Sequence, residues 1–193
     1  MMSGDCRRIC VGMSLVWPGI WVGSVRSVTP ELLKANRISV LVWVTPEVSP
    51  PSLPGTVQLI HIPLKDDHDT DLTPFFPVVT TAFKNCQGGG MMFVCLAGVS
   101  RSATLALAAL VGNTDLPQMT LKYAYKTVKA ARPFIHPNTG FFSQLVRYEK
   151  DVRGTSTVSM VQYPPYSGDM IPDVYLQEIN QSVAAPFHAF VPI

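Results

Sequence analysis

The chain has 193 residues and 21.1 kDa, enough for one ordinary domain with some remainder. Hydrophobic residues make up 47% and charged residues 15%, which supplies a core and excludes wholesale disorder. Fifteen Lys and Arg against thirteen Asp and Glu leave a formal charge of +2, too balanced for a nucleic-acid-coating protein or an acidic tail protein.

Four cysteines are too few and too irregular for a disulfide scaffold, so reduced thiols and a cytoplasmic setting are expected, with room for a nuclear or mitochondrial pool. Arg7 and Arg8 precede a charge-free run from Ile9 to Val25 that has the outline of a signal peptide. Trp17-Pro18-Gly19-Ile20-Trp21 interrupts that run with a turn, and its flanks Val16-Trp17 and Trp21-Val22 read as a β-hairpin. No other segment nears the ~20 apolar residues of a membrane span.

Thr29-Pro30-Glu31 then reads as a helix start, with Thr29 as N-cap and Pro30 at the first helical position. Ile38 to Val44 is a nearly continuous apolar, β-branched run, the mark of a strand buried on both faces. A proline-rich loop leads to a second strand, Val57 to Ile62. Thr73-Pro74 opens another helix, with Phe75, Val78, Val79, Ala82 and Phe83 on its expected apolar face, and Met91 to Val94 is a third strand. Three helices follow: 102–111, small and apolar all round; 119–131, with Leu121, Ala124, Tyr125 and Val128 inward; and 139–151, capped by Asn138, with Phe141, Leu145 and Tyr148 inward. This order predicts an α/β fold with a central, mainly parallel twisted sheet flanked by helices. Residues 154–193 hold Asp169, Asp173 and Glu178, no Lys or Arg, and five prolines. They predict an extension with no long helix, whose segment Met170 to Tyr175 docks.

The chemistry concentrates in Cys95-Leu96-Ala97-Gly98-Val99-Ser100-Arg101-Ser102-Ala103, between a buried strand and an apolar helix. Gly98 permits a backbone conformation that other residues resist. The amides of Leu96, Ala97, Gly98, Val99, Ser100 and Arg101 can turn inward as a nest for anionic oxygens, with the positive end of the next helix aimed at the same spot. Arg101 can grip two phosphate oxygens through its planar fork. The same field favours a thiolate at Cys95, beneath the phosphorus. These are the parts of a phosphate-ester hydrolase that needs no metal or other cofactor. His61 and His136 lack metal-type partners at useful spacing, and Cys6 and Cys10 lack the remaining ligands of a zinc site.

The run Val94 to Ala103 resembles the signature loop of cysteine-dependent protein tyrosine phosphatases, and most closely that of the small atypical dual-specificity phosphatases. Ala124-Tyr125, Val128-Lys129, Arg132-Pro133, Pro137 to Phe141 and Gln144-Leu145 are similar to that family's closing helices. The resemblance divides the chain into a short segment 1–12, a phosphatase domain 13–152 and a Pro-rich acidic extension 153–193. It implies a general acid after the second core strand, nine residues before a paired-aromatic helix start; Asp66, ahead of Phe75-Phe76, fits, with Asp67 next. Asp67, His68, Asp69 and Asp71 otherwise read as a solvated acidic turn. It further implies attack by Cys95, protonation of the leaving oxygen by Asp66, and a Ser102 hydroxyl that stabilises Cys95 as it departs. Implied substrates are proteins bearing phosphotyrosine, phosphoserine or phosphothreonine. Nucleic acid is not expected as a partner; a phosphoinositide or RNA 5′-phosphate stays open as an alternative substrate, although the loop lacks the extra basic residues expected for one.

Two departures stand out: Val94 replaces the His that usually precedes the nucleophile, and Gly112 to Gln118 is about three residues longer than usual. Val94 predicts a slow but competent enzyme; the competing class is a weakly active or inactive phosphoprotein-binding module. Lys122, Lys126 and Lys129 form a basic stripe that reads as a solvated face, and Cys86 could pair with Cys95 on oxidation.

Overall fold

The computed structural model describes residues 12–86, 88–164 and 168–184. The start of the charge-free run, Cys6, Cys10 and the last prolines, Pro186 and Pro192, lie outside the described residues.

Strands β1 (Met13–Trp17) and β2 (Ile20–Ser24) form the expected hairpin. Helix α1 (Pro30–Ala35) starts at Thr29, whose hydroxyl accepts from the Leu32 amide. Strands β3 (Ile38–Trp43), β4 (Gln58–His61) and β5 (Gly90–Cys95) complete a five-stranded sheet in the order β1-β2-β5-β3-β4, parallel except for the hairpin. All six residues of β5 are buried, which its apolar run without alternation dictates. Because side chains alternate along a strand, Met91, Phe93 and Cys95 join the main core, while Met92 and Val94 join a smaller cluster with Leu33, Leu41 and Trp43.

Helices α2 (Phe76–Asn85), α3 (Arg101–Gly112), α4 (Leu121–Ala131) and α5 (Thr139–Arg153) follow. Every residue of α3 is buried, in keeping with its small apolar side chains. The α2 face differs from expectation: Phe76, Val79 and Thr80 are buried and Val78 is exposed. A 3-10 turn at Thr73–Phe75 precedes the helix proper, so the buried stripe counts from Phe76 at i, i+3 and i+4. On α4 the four predicted residues point inward. On α5 Phe141 and Leu145 do, Tyr148 is half-buried against Phe76, and Phe142 and Glu149, unassigned from sequence, are fully buried. The Glu149 carboxylate accepts from the Leu121 and Thr157 amides, tying the start of α4 to the chain after α5.

The extension is more ordered than its prolines predict. Strands β6 (Met160–Gln162) and β7 (Met170–Pro172) pair antiparallel, and a twelve-residue helix α6 (Asp173–Ala184) follows. The expectation of no long helix fails because the residues between Pro172 and Pro186 contain no proline. Val174 and Tyr175 enter the main core. Among the described residues no helix is long and apolar enough to cross a membrane.

The long 112–118 connection is gathered by Arg153, at the end of α5. Its guanidinium donates to the carbonyls of Val111 (2.8 Å), Asn113 and Leu116 (3.1 Å each) and Pro117 (3.3 Å). A cation here also suits the negative end of α3. Replacing Arg153 with Met keeps the stem but strands these carbonyls, and should lower the unfolding free energy by about 1.5–3 kcal/mol. A urea titration reads this as a lower midpoint with unchanged slope; an unmoved midpoint would refute the bracing role.

Candidate active site

In parallel sheets the carboxyl ends of the strands face the crevice where ligands bind. Here Cys95 ends β5, Glu47 follows β3 and Asp66 follows β4, so three chemically distinct side chains emerge on one edge.

The turn from Cys95 to Arg101 is bent by Gly98, whose φ is +71° and whose added Cβ would lie 2.7 Å from the Gly23 carbonyl. Arg132, read from sequence only as the end of a helix, is buried beneath this turn and holds it. Its Nε donates to the Gly98 carbonyl (2.8 Å), its Nη2 reaches the Ala97 carbonyl (3.5 Å), and its Nη1 donates to the Gly12 carbonyl just before the hairpin and to Ser14 Oγ on β1. A peptide plane carries its N–H opposite its C=O. Carbonyls drawn outward to Arg132 therefore turn the amides of Gly98 and Val99 inward. The Gly98 amide accordingly donates to Cys95 Sγ (3.2 Å), and Ser102 Oγ lies 3.2 Å from the same sulfur. A concave set of amides at a helix start, above a buried sulfur, suits a tetrahedral oxyanion.

Arg101 opens α3, and its side chain is only 3% exposed. Nη1 donates to both carboxylate oxygens of Glu47 (3.1 and 2.8 Å) and to the Leu64 carbonyl (3.0 Å). Nε lies 3.4 Å from Asp66 Oδ2 but is buried without a hydrogen-bond partner. One nitrogen is thus anchored by hydrogen bonds, and another is held only by the charge of a nearby carboxylate. Glu47 was not singled out from sequence; the available signal was a carboxylate just past the end of a central strand. Partial burial pushes its carboxyl up, but the hydrogen bonds from Arg101 and Thr45 outweigh that and bring its pKa down to about 2.

Asp66 reaches the same loop. Its Oδ1 accepts from Ser100 Oγ (2.8 Å) and Asn138 Nδ2 (3.0 Å). Ser100, at the cap position of α3, thus spends its hydroxyl on Asp66 rather than on the helix amides. The neighbouring acids turn elsewhere: Asp67 accepts from the Asp69 amide, and Asp71 caps Thr73. The loop is stitched to α5 by Asn138 (to the Asp67 carbonyl) and by Gln144, which bonds the Thr70 carbonyl and the Leu72 amide. Gly140 allows this: a Cβ there would lie 2.8 Å from the His68 carbonyl carbon.

The structure thus joins the predicted site residues in two sets: Cys95 with Gly98 and Ser102, and Asp66 with Ser100 and Arg101, all on or beside the single turn that runs through Leu96, Ala97 and Val99. Cys86 does not join them. Its sulfur meets Ser39 Oγ (3.2 Å) beside Gly90, at the other end of β5, and five residue steps of strand amount to about 16 Å. A Cys86–Cys95 disulfide is thereby excluded. Nor is the lysine stripe wholly solvated: Lys129 Nζ pairs with Glu178 (2.9 Å) and donates to the Ile135 carbonyl (2.8 Å).

Glu47 is ionised in the folded protein down to about pH 2, well below its ordinary value of 4.5. Its contribution to stability is therefore complete above pH 4.5 and is lost as the pH falls toward 2. The melting-temperature gap between the parent and Glu47→Gln should stay constant from pH 8 to pH 5 and narrow in more acidic buffer; a gap insensitive to acid would contradict the pairing.

A family model described as "Dual specificity phosphatase, catalytic domain" matches residues 20–151. The chain is 34% identical to dual specificity protein phosphatase 18 of Bos taurus over 175 residues, 89% of each protein. It is 39% identical to dual specificity protein phosphatase 14 of Homo sapiens over 158 residues, 81% of this chain and 76% of the relative. The crystal structure of human DUSP28 superposes with a TM-score of 0.68 at 31% identity, over 73% of this chain and 95% of that one. The chain belongs to the dual-specificity protein phosphatases, within the small atypical group of the cysteine-dependent tyrosine phosphatase superfamily.

Proposed function

We propose that the protein hydrolyses phosphotyrosine and phosphoserine or phosphothreonine in protein substrates through a phosphocysteine intermediate. The observation that carries this reading is the buried Nε of Arg101, which has no hydrogen-bond partner and lies 3.4 Å from the Asp66 carboxylate, while Nη1 is held by Glu47. A phosphoryl group seated on the turn would supply that nitrogen with its acceptor and take further hydrogen bonds from the inward amides.

In the first step the Cys95 thiolate forms a bond to phosphorus, the bond to the ester oxygen breaks, and Asp66 gives that oxygen a proton. In the second, Asp66 takes a proton from water. The water oxygen bonds to phosphorus, the S–P bond breaks, and inorganic phosphate leaves with the thiolate restored. Ser102 Oγ, 3.2 Å from the sulfur, is placed to donate to it as it departs. Asp66 pairs with Arg101, at the far end of the turn that starts at Cys95, which supports turnover over binding alone. The domain limits 13–152 and 153–193 belong to this proposal, with the qualification that Val174 and Tyr175 of the extension lie in the main core.

Val94 is fully buried against the Trp43 cluster, on the sheet face opposite Cys95. An aliphatic side chain there packs well and offers no hydrogen bond to the turn that follows.

Turnover of an aryl phosphate should fall at least about a thousandfold in Cys95→Ser, which keeps the shape and removes the nucleophile. An undiminished rate would end the phosphocysteine reading. Val94→His should raise kcat/KM near neutral pH; an unchanged rate in a folded variant would sever the link between Val94 and slow catalysis.

A further inference from the structure

Tyr175 on α6 enters the body of the protein and is 4% exposed. Its ring stacks on His136 with centroids 4.2 Å apart, and meets Phe142 at 5.4 Å and Tyr125 at 5.8 Å. Its hydroxyl donates to the Pro137 carbonyl at 2.6 Å. Three residues on, and so on the same side of α6, Glu178 accepts from the Tyr125 hydroxyl and pairs with Lys129. Lys129 in turn holds the Ile135 carbonyl.

The gripped segment, Ile135 to Pro137, leads directly into the candidate active site. The His136 amide donates to the Val99 carbonyl (2.9 Å), on the turn that carries the inward amides. The Asn138 amide donates to Ser100 Oγ (3.2 Å), and Asn138 Nδ2 donates to Asp66 (3.0 Å). The Pro137 carbonyl and the Asn138 amide belong to one rigid peptide plane. Fixing the oxygen from α6 therefore fixes the direction of the N–H. That N–H orients the Ser100 hydroxyl, and the hydroxyl holds Asp66.

We propose that Tyr175 is a positioning residue for Asp66: the C-terminal extension sets the aim of the proton donor through the Pro137–Asn138 peptide. This rests on the reading of Asp66 as general acid. Asp66 touches the leaving oxygen; Tyr175 acts only through Asn138 and Ser100. Loss of its hydroxyl should therefore harm only the chemistry that needs the proton.

The test compares two substrates of the full chain: phenyl phosphate, whose phenoxide leaves poorly without a proton, and difluoromethylumbelliferyl phosphate, whose leaving group needs little help. The readout is kcat/KM, which reports the step in which the leaving group departs. Tyr175→Phe keeps the ring stack and removes the hydroxyl. It should lower kcat/KM for phenyl phosphate about 3–10-fold and change the activated substrate less than about twofold. In an Asp66→Asn background the same substitution should have no further effect. Equal losses on both substrates, no loss on phenyl phosphate, or a loss that persists without Asp66 would each overturn the proposal. If Asp66→Asn itself slows both substrates alike, the general-acid reading fails and Tyr175 falls with it. If Asp66→Asn is selective and Tyr175→Phe is not, the Tyr175 assignment alone fails. Should Tyr175→Phe fold poorly, Glu178→Gln loosens α6 from outside the ring stack and should show the same selectivity for phenyl phosphate; equal losses there would refute the proposal too.

Discussion

The site depends on how a seven-residue turn is held inside out. Left to itself, a short polypeptide loop exposes carbonyls and amides alike, and would present an anion with as much repulsion as attraction. Here the buried guanidinium of Arg132 draws the Ala97 and Gly98 carbonyls to the back of the turn, and the positive φ of Gly98 lets the chain follow. The planarity of the peptide bond does the rest, turning amides to the front. An arginine behind the turn thus shapes the electrostatics of its front.

Arg101 solves a different difficulty. A guanidinium left alone in an apolar setting would be costly, and one paired on every edge would have nothing left for a ligand. Glu47 and the Leu64 carbonyl compensate one nitrogen and leave Nε uncommitted. Asp66 is close enough to Nε to contribute charge, but its own hydrogen bonds run to Ser100 and Asn138. The arrangement is satisfied enough to fold, and in the proposed reaction its open nitrogen is what takes the phosphoryl group.

Much of this was legible in the order of residues. The apolar runs of β3 and β5, the Thr29 and Asn138 caps and the glycine-bearing turn before an apolar helix follow from local rules, and those rules held. What escaped was of two kinds. Glu47, Arg132 and Asn138 act at long sequence range: Arg132 lies 34 residues from the Gly98 it holds, and Asn138 lies 72 from Asp66. No local pattern announces such a meeting. The second kind concerned reach. Prolines in the extension marked where a helix must stop, at Pro172 and Pro186, but the interval between them was long enough for α6, which takes its stability from Tyr175 and Val174 in the core. The α2 face shifted by one position because a 3-10 turn used the first three residues.

Gly140 has a bearing on the reaction out of proportion to its size. The His68 carbonyl rests where a side chain would stand, so the whole acidic loop sits down on the first turn of α5. Any methyl at that position would act as a shim. It would push the His68 backbone, and with it the loop that carries Asp66, away from α5, so in the proposed reaction the reach of that carboxyl is gauged by a single hydrogen atom.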